Sequence, residues 1–503
     1  MVLAFAPIKI TSAAIFCPLF LVLAVHRSRG AWEAFGAGFI ASVVIMLGGF
    51  YWAVYTLHLF GNLPWTAAGA LYLVFCGLGA LNFPAFTWAL FRIYKSIPAL
   101  RANAYWYAVG IPALFALIEF LVPKLFPWCL GHSFYQALWL NQIVEWTGSS
   151  FLSYLACSWG ALGAAIFFAS DEVEYARRAL IVPVGLTLLA VGFSTWRLST
   201  PLPTQSTKRV ALIQANIGSL EKVDARAGLY GRVQYTVDQH LTLTDGVMRQ
   251  NPPPDWILWP ETAMPFSLAD DDGYARRIRD SVVRWNRPLI SGGYSRATTP
   301  PFLDYNAAFL LEPTSTGLRT STYEKNILLA FGEYFPGGET FPILYTWFPE
   351  VSNFMRGTEQ KILTLADGTR LGITICYEAI VPPFFRKVAS QGVHAVINLT
   401  NDSWFGPTSE PFQHAALTVF RAIESRTPLI RVTNTGLSFA VDRYGHRSTS
   451  TGVFVPGALT VEVPVGPEPV TTFYLRYGDW FIALLAAVLA YFLLRSRRVP
   501  IPV

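Results

Sequence analysis

Residues 371–378 read Leu-Gly-Ile-Thr-Ile-Cys-Tyr-Glu, a short apolar run that ends in a cysteine, a tyrosine and a glutamate. Such a run is typical of a buried β-strand, and the polar residues lie where that strand ends. A side chain at a strand end is held on a rigid frame and exposed at the edge of the sheet. We therefore predict that Cys376 is placed to act as a nucleophile.

Two other charged residues also follow strand-like runs. Glu261 ends the apolar stretch Asp-Trp-Ile-Leu-Trp-Pro-Glu of residues 255–261, and Lys325 lies in Tyr-Glu-Lys-Asn of residues 323–326. A carboxylate can accept the proton of a thiol, and an ammonium can stabilise the oxyanion of a tetrahedral intermediate. Each residue alone has a simpler explanation, since a lone cysteine is more often a small buried hydrophobe. Their joint occurrence favours an acyl-transfer site that needs no histidine.

The chain around these residues alternates between predicted strands and helices. Eight strand-like runs are found at 209–217, 256–259, 288–294, 307–311, 371–375, 395–398, 429–433 and 459–463. Helical stretches lie between several of them, at 235–249, 274–285, 382–391 and 410–425. This alternation predicts a layered α/β domain over residues 208–466, which follows a Pro/Ser/Thr-rich linker at 198–207.

The rest of the chain has the composition of a membrane protein. Of 503 residues, 53% are hydrophobic and 14% are charged, against a usual charged fraction of about 25%. Disorder, a collagen-like repeat and a soluble coiled coil are therefore excluded. Apolar segments long enough to span a bilayer are found near 10–25, 36–58, 66–92, 104–122, 148–169, 179–197 and 474–494. We predict a multi-pass α-helical bundle in residues 1–197, and a C-terminal transmembrane helix with a cytoplasmic tail in residues 467–503.

The basic residues next to these segments orient the bundle. Ten of them lie on one side, at Arg27, Arg29, Arg92, Lys95, Arg101, Arg177, Arg178, Arg495, Arg497 and Arg498. Three lie on the other side, at Lys9, Lys124 and Arg197. Positive residues in short loops stay cytoplasmic, so the α/β domain is predicted to be extracytoplasmic. The net charge of +6 is spread along these flanks rather than in one stripe, and we expect no nucleic-acid binding.

Neither a disulfide framework nor a metal site is expected. Four of the five cysteines lie in or beside apolar segments, which leaves Cys376 alone in the polar half. His414 and His394 lack the spacing and the cysteine partners of a zinc site.

Several motifs together resemble the signature of the nitrilase superfamily. They are Trp-Pro-Glu at 259–261, Tyr-Glu-Lys at 323–325, Phe-Gly-Glu-Tyr-Phe-Pro at 331–336, Ile-Cys-Tyr-Glu at 375–378 and Asn-Leu-Thr-Asn-Asp-Ser-Trp-Phe-Gly at 398–406. With the apolar spans, the chain more narrowly resembles the membrane-embedded branch of that superfamily, the apolipoprotein N-acyltransferases. The resemblance implies that the α/β domain is an αββα sandwich.

The resemblance also implies a role for each candidate residue. Cys376 would be the nucleophile, Glu261 the general base and Lys325 the oxyanion stabiliser. Three further positions match residues that the family needs for activity: Glu333, which would orient Lys325, and Tyr377 and Glu378.

The reaction that the resemblance implies is a two-step acyl transfer without a cofactor. Cys376 would take a fatty acyl chain from a membrane phospholipid as a thioester, and the diacylglyceryl-cysteine amine of an apolipoprotein would then accept it. The implied location is the bacterial inner membrane, with the catalytic domain in the periplasm, in contact with membrane lipids and as a monomer.

Two departures from the family pattern stand out. The family has eight spans, and residues 1–9 match only the end of the first one, so we expect a truncated first span. Val223 stands where the family usually has a tryptophan near the lipid entrance, which leaves the acyl-chain preference open.

Two rival functions stay open from the residues alone. A membrane-tethered amidase or nitrilase-like hydrolase would use the same triad with water as the acceptor. A transporter or binding module with a degenerate enzyme domain is disfavoured, because Glu261, Lys325 and Cys376 are all present and intramembrane charges are few.

Overall fold

The computed structural model describes residues 1–168, 173–218, 230–268, 273–298, 303–348 and 351–497. Within it the chain forms two compact units. Unit 1 comprises residues 1–54, 66–201 and 472–503, and unit 2 comprises residues 55–65 and 202–471. Val223, the unusual position noted above, lies outside the described residues.

Unit 1 is helical. Its longer helices are α1 (Phe16–Arg27), α2 (Ala31–Gly49), α3 (Trp52–Leu59), α4 (Trp65–Leu78), α5 (Asn82–Ser96), α6 (Ile111–Leu121), α9 (Ser150–Phe168), α10 (Val173–Ser199) and α17 (Trp480–Arg497), of which the end of α3 and the first residue of α4 fall in unit 2. Short helices α7 (Leu138–Asn141), α8 (Val144–Thr147) and α16 (Phe473–Tyr477) lie between them. Among the residues that the structure describes, four helical segments are long and apolar enough to cross a membrane, and three shorter apolar helices accompany them. The prediction of a multi-pass helical bundle is confirmed.

Two predicted spans are interrupted. The run 66–92 is divided between α4, which ends at Leu78, and α5, which begins at Asn82. The apolar run 36–58 was expected to be continuous, but α2 ends at Gly49 and α3 begins at Trp52. Ending a helix leaves carbonyl groups without helical partners. The Tyr72 hydroxyl lies 2.9 Å from the carbonyl oxygens of both Met46 and Leu47 and shares its proton between them, and the amide of Phe50 also donates to the Met46 carbonyl.

Unit 2 contains eleven strands in the part of the chain described. They are β1 (Ser206–Gln214), β2 (Trp256–Leu258), β3 (Leu289–Arg296), β4 (Asp304–Thr314), β5 (Gly317–Glu324), β6 (Leu363–Thr364), β7 (Arg370–Ile375), β8 (Ala395–Thr400), β9 (Leu429–Thr433), β10 (Phe439–Val441) and β11 (Gly457–Val465). The helices of unit 2 are α11 (Tyr230–Met248), α12 (Gly273–Trp285), α13 (Ile343–Trp347), α14 (Pro382–Ala389) and α15 (Glu410–Ser425).

These strands form two sheets that share one core. The first sheet has the order β11-β1-β2-β3-β4-β5, and the second has the order β10-β9-β8-β7-β6. Successive side chains of a strand point to opposite faces of its sheet. In β1, Val210 and Leu212 join a core that also contains Ile373 and Ile397 of the second sheet, so this core lies between the two sheets.

The other face of the first sheet is covered by helices. Ala211 and Ile213 of β1 join a second core with Val237 of α11 and Val282 of α12. Strands covered on both faces read as continuous apolar runs, as β1 does over its second half. The predicted αββα sandwich is confirmed.

Three strands were not predicted: β5, β6 and β10. Each lies at the edge of its sheet. An edge strand has one neighbour and needs less apolar surface, and most residues of β5 are exposed or half-buried. Strands β6 and β10 have two and three residues, which is too short for a pattern of apolar residues to identify them.

Gly292 in β3 lies against the segment that follows β2. A Cβ atom at this position would be 2.6 Å from the Cα of Glu261 and 2.7 Å from the carbonyl oxygen of Pro260. We expect Gly292→Ala to destabilise unit 2 by about 1–3 kcal/mol, because backbone must move to admit the methyl group. The melting temperature of the purified protein measures this.

Gly246 provides the matched control. It is exposed in α11, and a methyl group added to its Cα would have no neighbouring atom within 4 Å. Gly246→Ala should therefore be neutral or stabilising, by up to about 1 kcal/mol. Equal melting temperatures for the two variants would contradict the packing described for Gly292.

Candidate active site

Cys376 stands at the point where β7 ends. It is the first residue of a short 3₁₀ turn, Cys376–Ile380, and its φ is +52°. A residue other than glycine in this left-handed region is strained by about 1–3 kcal/mol and persists where its surroundings enforce it. Its side chain is almost completely buried. The strand end predicted from the sequence is therefore a sharp turn that holds the thiol in one orientation.

Glu261 and Lys325 come from the first sheet. Glu261 follows β2, and Lys325 follows edge strand β5. The Lys325 Nζ lies 3.4 Å from Glu261 Oε1 and 2.7 Å from Glu333 Oε2. Lys325 is 1% exposed, which makes its ammonium a buried charge that two carboxylates compensate.

Asn306 completes this cluster, and the sequence reasoning missed it. Its Nδ2 donates to Glu261 Oε1 at 2.7 Å and to Glu333 Oε1 at 2.8 Å. The amide therefore bridges the two carboxylates that flank Lys325. Asn306 directly precedes the apolar run of β4, and a polar residue at the start of a buried strand is the signal that could have identified it.

Glu378 connects the two sheets. Its carboxylate accepts hydrogen bonds from the amide of Ile375 at 2.8 Å and from the amides of Asn326 and Ile327 at 2.6 and 2.9 Å. The Tyr323 hydroxyl donates to it as well, at 2.8 Å. Glu378 thus ties the turn of Cys376 to the segment that carries Lys325. Burial raises the pKa of Glu378 to about 7, although the amide of Ile375 and the charge of Lys325 oppose this.

The electrostatics place Cys376 next to this cluster. Burial raises the pKa of the Cys376 thiol well above 9, and the Glu261 carboxylate raises it further, while Lys325 lowers it. For Lys325, burial lowers the pKa, but the charges of Glu333 and Glu261 outweigh this and raise it above its usual range. The raised pKa of Cys376 favours its neutral thiol over the thiolate, and the raised pKa of Lys325 favours its ammonium form.

Tyr377 is half-buried and directly follows Cys376. Burial raises its pKa to about 12, and the neighbouring Tyr334 contributes in the same direction.

The structure brings most of the six candidate residues together. Lys325 contacts both Glu261 and Glu333, and the charges of these three residues act on the Cys376 thiol. Glu378 bonds to the backbone on both sides, next to Cys376 and next to Lys325.

A second polar cluster has side chains of the kind that bind metals. Atoms of Asp402, Glu410 and His414 lie within 4.8 Å of one another and are buried. The Arg431 guanidinium, however, lies 2.8 Å from Asp402 Oδ2 and 3.1 Å from His414 Nδ1. The Arg431 guanidinium already supplies the positive charge in this cluster, and it would repel a metal ion bound beside it.

Comparison with known proteins separates two parts of the chain. Residues 209–466 match the model of the carbon-nitrogen hydrolase family, and residues 1–162 match that of the apolipoprotein N-acyltransferase N-terminal domain. An apolipoprotein N-acyltransferase of Bdellovibrio bacteriovorus is 34% identical, over 94% of this chain and 88% of its own length. The chain belongs to the apolipoprotein N-acyltransferase family.

Other relatives agree. Apolipoprotein N-acyltransferases of Geobacter metallireducens and Vibrio vulnificus are 31% and 30% identical, over 96% and 99% of this chain and 91% and 95% of their own lengths. The resemblance predicted from the motifs is thus confirmed for the family as a whole, and the chain is an enzyme of the acyltransferase class. The roles of the individual residues stay predictions.

The raised pKa of Cys376 predicts how fast the thiol reacts. Alkylation by iodoacetamide needs the thiolate, so its rate at Cys376 should keep rising with pH through 9 without reaching a plateau. Mass spectrometry of the peptide that contains Cys376 measures this rate, with Cys376→Ala as the blank. A plateau below pH 9 would contradict the electrostatic environment described here.

Proposed function

We propose that this apolipoprotein N-acyltransferase family member transfers a fatty acyl chain from a membrane phospholipid to the α-amino group of the diacylglyceryl-cysteine of an apolipoprotein. The donor and acceptor are those that the family name of the relatives implies. The observation that supports a thioester route is the buried ammonium of Lys325, held by Glu261 and Glu333 beside the Cys376 thiol.

In the first step, the Cys376 thiol attacks the ester carbonyl of the phospholipid. Because the thiol is neutral at rest, its proton passes to Glu261 as the carbon–sulfur bond forms. The carbonyl oxygen of the ester becomes an oxyanion, which the Lys325 ammonium stabilises. The carbon–oxygen bond then breaks, and the lysophospholipid leaves with the proton that Glu261 held.

In the second step, the amine of the acceptor attacks the thioester. Glu261 takes a proton from the attacking amine, and Lys325 again stabilises the oxyanion. The carbon–sulfur bond breaks, the proton returns to the Cys376 sulfur, and an amide is released. A thioester is reactive enough for this aminolysis.

The contacts of the two carboxylates with Lys325 support these separate roles, proton transfer by Glu261 and oxyanion stabilisation by Lys325. The charges of Glu333 and Glu261 raise the pKa of Lys325, so it stays an ammonium ion even when it is buried. Glu333 also accepts a hydrogen bond from the amide of Leu329 at 2.8 Å and is therefore held in place as the partner of Lys325. Glu261 makes the longer contact with Lys325, which leaves it available to exchange protons.

The proposal extends to the location of the reaction. The ten-to-three distribution of basic residues supports an inner-membrane protein whose catalytic domain, residues 208–466, faces the periplasm. Both substrates are lipids or lipid-anchored, so a membrane-bound enzyme encounters them by lateral diffusion within the membrane. We propose that the enzyme is a monomer.

An amidase reading would replace the acceptor amine by water. The family membership and the match of residues 1–162 favour the acyltransferase. Incubation with phospholipid in the absence of any apolipoprotein separates the two functions, because a hydrolase would then turn over and release free fatty acid.

The intact mass of the protein after incubation with phospholipid tests the thioester. A fatty-acyl mass should appear on the wild type, disappear after treatment with hydroxylamine, and be absent from Cys376→Ala. An adduct on Cys376→Ala, or one that resists hydroxylamine, would show that another residue carries the acyl chain.

Replacement of Lys325 tests oxyanion stabilisation. We expect Lys325→Ala to slow acyl-enzyme formation by about 10²-fold or more, by analogy with the loss of an oxyanion-hole donor. Lys387→Ala is the matched control, since Lys387 is exposed on α14. Single-turnover mass spectrometry measures the rate, and an undiminished rate in Lys325→Ala would rule out this role.

A further inference from the structure

Three neighbouring strands of the second sheet carry polar side chains side by side. Thr374 of β7 pairs with Asn398 of β8, and Asn398 pairs with Arg431 of β9. The residues before and after them, such as Ile373 and Ile397, face the core between the sheets. The three polar side chains therefore belong to the opposite face, and all three are completely buried.

Asn398 contacts the backbone of the nucleophile. Its Nδ2 donates to the carbonyl oxygen of Cys376 at 3.2 Å and to that of Thr374 at 3.3 Å. These two carbonyls lie on either side of the point where the chain turns from β7 into its left-handed conformation at Cys376. One amide group thus holds both ends of the strained peptide segment.

Arg431 sets the orientation of that amide. Arg431 Nη1 donates to Asn398 Oδ1 at 2.8 Å, and the Thr400 hydroxyl donates to the same oxygen at 2.9 Å. A guanidinium can only donate, so the oxygen of the Asn398 side chain must face Arg431. Its NH₂ group is then directed at the two carbonyls, and the reverse orientation would bring donor against donor.

Asp402 in turn holds Arg431. Arg431 Nη2 lies 2.8 Å from Asp402 Oδ2 and 3.1 Å from Asp402 Oδ1, and both residues are fully buried. Removing one partner from such a pair would leave an uncompensated buried charge, so the pair is a rigid anchor. A continuous set of hydrogen bonds therefore runs from Asp402 through Arg431 and Asn398 to the carbonyl of Cys376.

We propose that Asn398 and Arg431 are positioning residues for the nucleophile, which keep the Cys376 turn in the conformation that presents its thiol for attack. Neither residue contacts the Glu261–Lys325–Glu333 cluster in any described hydrogen bond or ion pair, so they act through the backbone of Cys376. This inference rests on the proposed role of Cys376.

Asn398→Asp tests the positioning role. The substitution keeps the shape of the side chain and the acceptor for Arg431, but replaces the donor with an oxygen that repels the Cys376 carbonyl. We expect alkylation of Cys376 by iodoacetamide, in the full-length protein in detergent, to slow by about tenfold or more. An unchanged rate in the folded variant would overturn the proposal.

Asn434→Asp is the matched control. Asn434 is also fully buried, and its Nδ2 donates to the carbonyl of Ile217 at 2.6 Å and to Asn401 Oδ1 at 3.0 Å. A merely structural role predicts that both variants lose melting temperature and keep the reactivity of the thiol. Slower alkylation in Asn398→Asp alone supports positioning, and equal slowing in both variants overturns it. If Asn398→Asp fails to fold, Asn398→Ser replaces it in the test, because the shorter serine side chain loses the hydrogen bond to the Cys376 carbonyl without adding a charge.

The contribution of Arg431 is tested by a double-mutant cycle. Arg431→Lys keeps a positive charge beside Asp402 but cannot donate to Asn398 and Asp402 with the same planar group. If Arg431 acts through Asn398, the double variant should alkylate no more slowly than Asn398→Asp. If the rate reductions of the two single variants multiply in the double variant, Arg431 acts by another route, and this part of the proposal is overturned.

Alkylation requires no lipid, so it separates this inference from the proposed function. A wild-type protein that is alkylated normally but never takes an acyl chain from phospholipid would refute the acyl-transfer proposal. It would leave the positioning of Cys376 by Asn398 intact.

Discussion

The buried ammonium of Lys325 is the constraint on which the active site depends. A charge removed from water is stable only where opposite charges and hydrogen bonds compensate it. Glu333 and Glu261 supply the charge, and Asn306 fixes both carboxylates. The same arrangement that makes the ammonium tolerable inside the protein also places it where negative charge would develop in the proposed reaction.

The sandwich explains how these groups meet. Glu261 and Lys325 follow strands of the first sheet, and Cys376 follows a strand of the second. Each sheet on its own has only part of the set. The site is complete because the inner faces of the two sheets pack on one apolar core, with Val210 and Leu212 from one side and Ile373 and Ile397 from the other. Packing of the apolar core, which includes Cys376 itself, therefore determines how the three groups are arranged.

The sequence predicted those elements whose residues follow a local pattern, such as a run of apolar residues. Central strands such as β7 and β8 are covered on both faces and read as apolar runs, and the polar residues that follow them were identified correctly as strand ends. The edge strand β5 was missed because its residues alternate little, although Lys325 directly follows it. Asn306 was missed for a different reason. Its polar side chain before the apolar run of β4 is a local signal, but its partners are two carboxylates that are distant in the sequence.

The hydrogen bonds of Glu378 determine what local opening of the structure does to the active site. Its single carboxylate binds the amide of Ile375 on one sheet and the amides of Asn326 and Ile327 beyond the edge strand of the other. Edge strand β5 has a neighbour on one side only. Opening of β5 would break the bonds of Asn326 and Ile327 to Glu378 and would leave Asn398 to hold the turn of Cys376. Local fraying at one rim of the sandwich would thereby move the ammonium of Lys325, which directly follows β5, away from a thiol that stays in place.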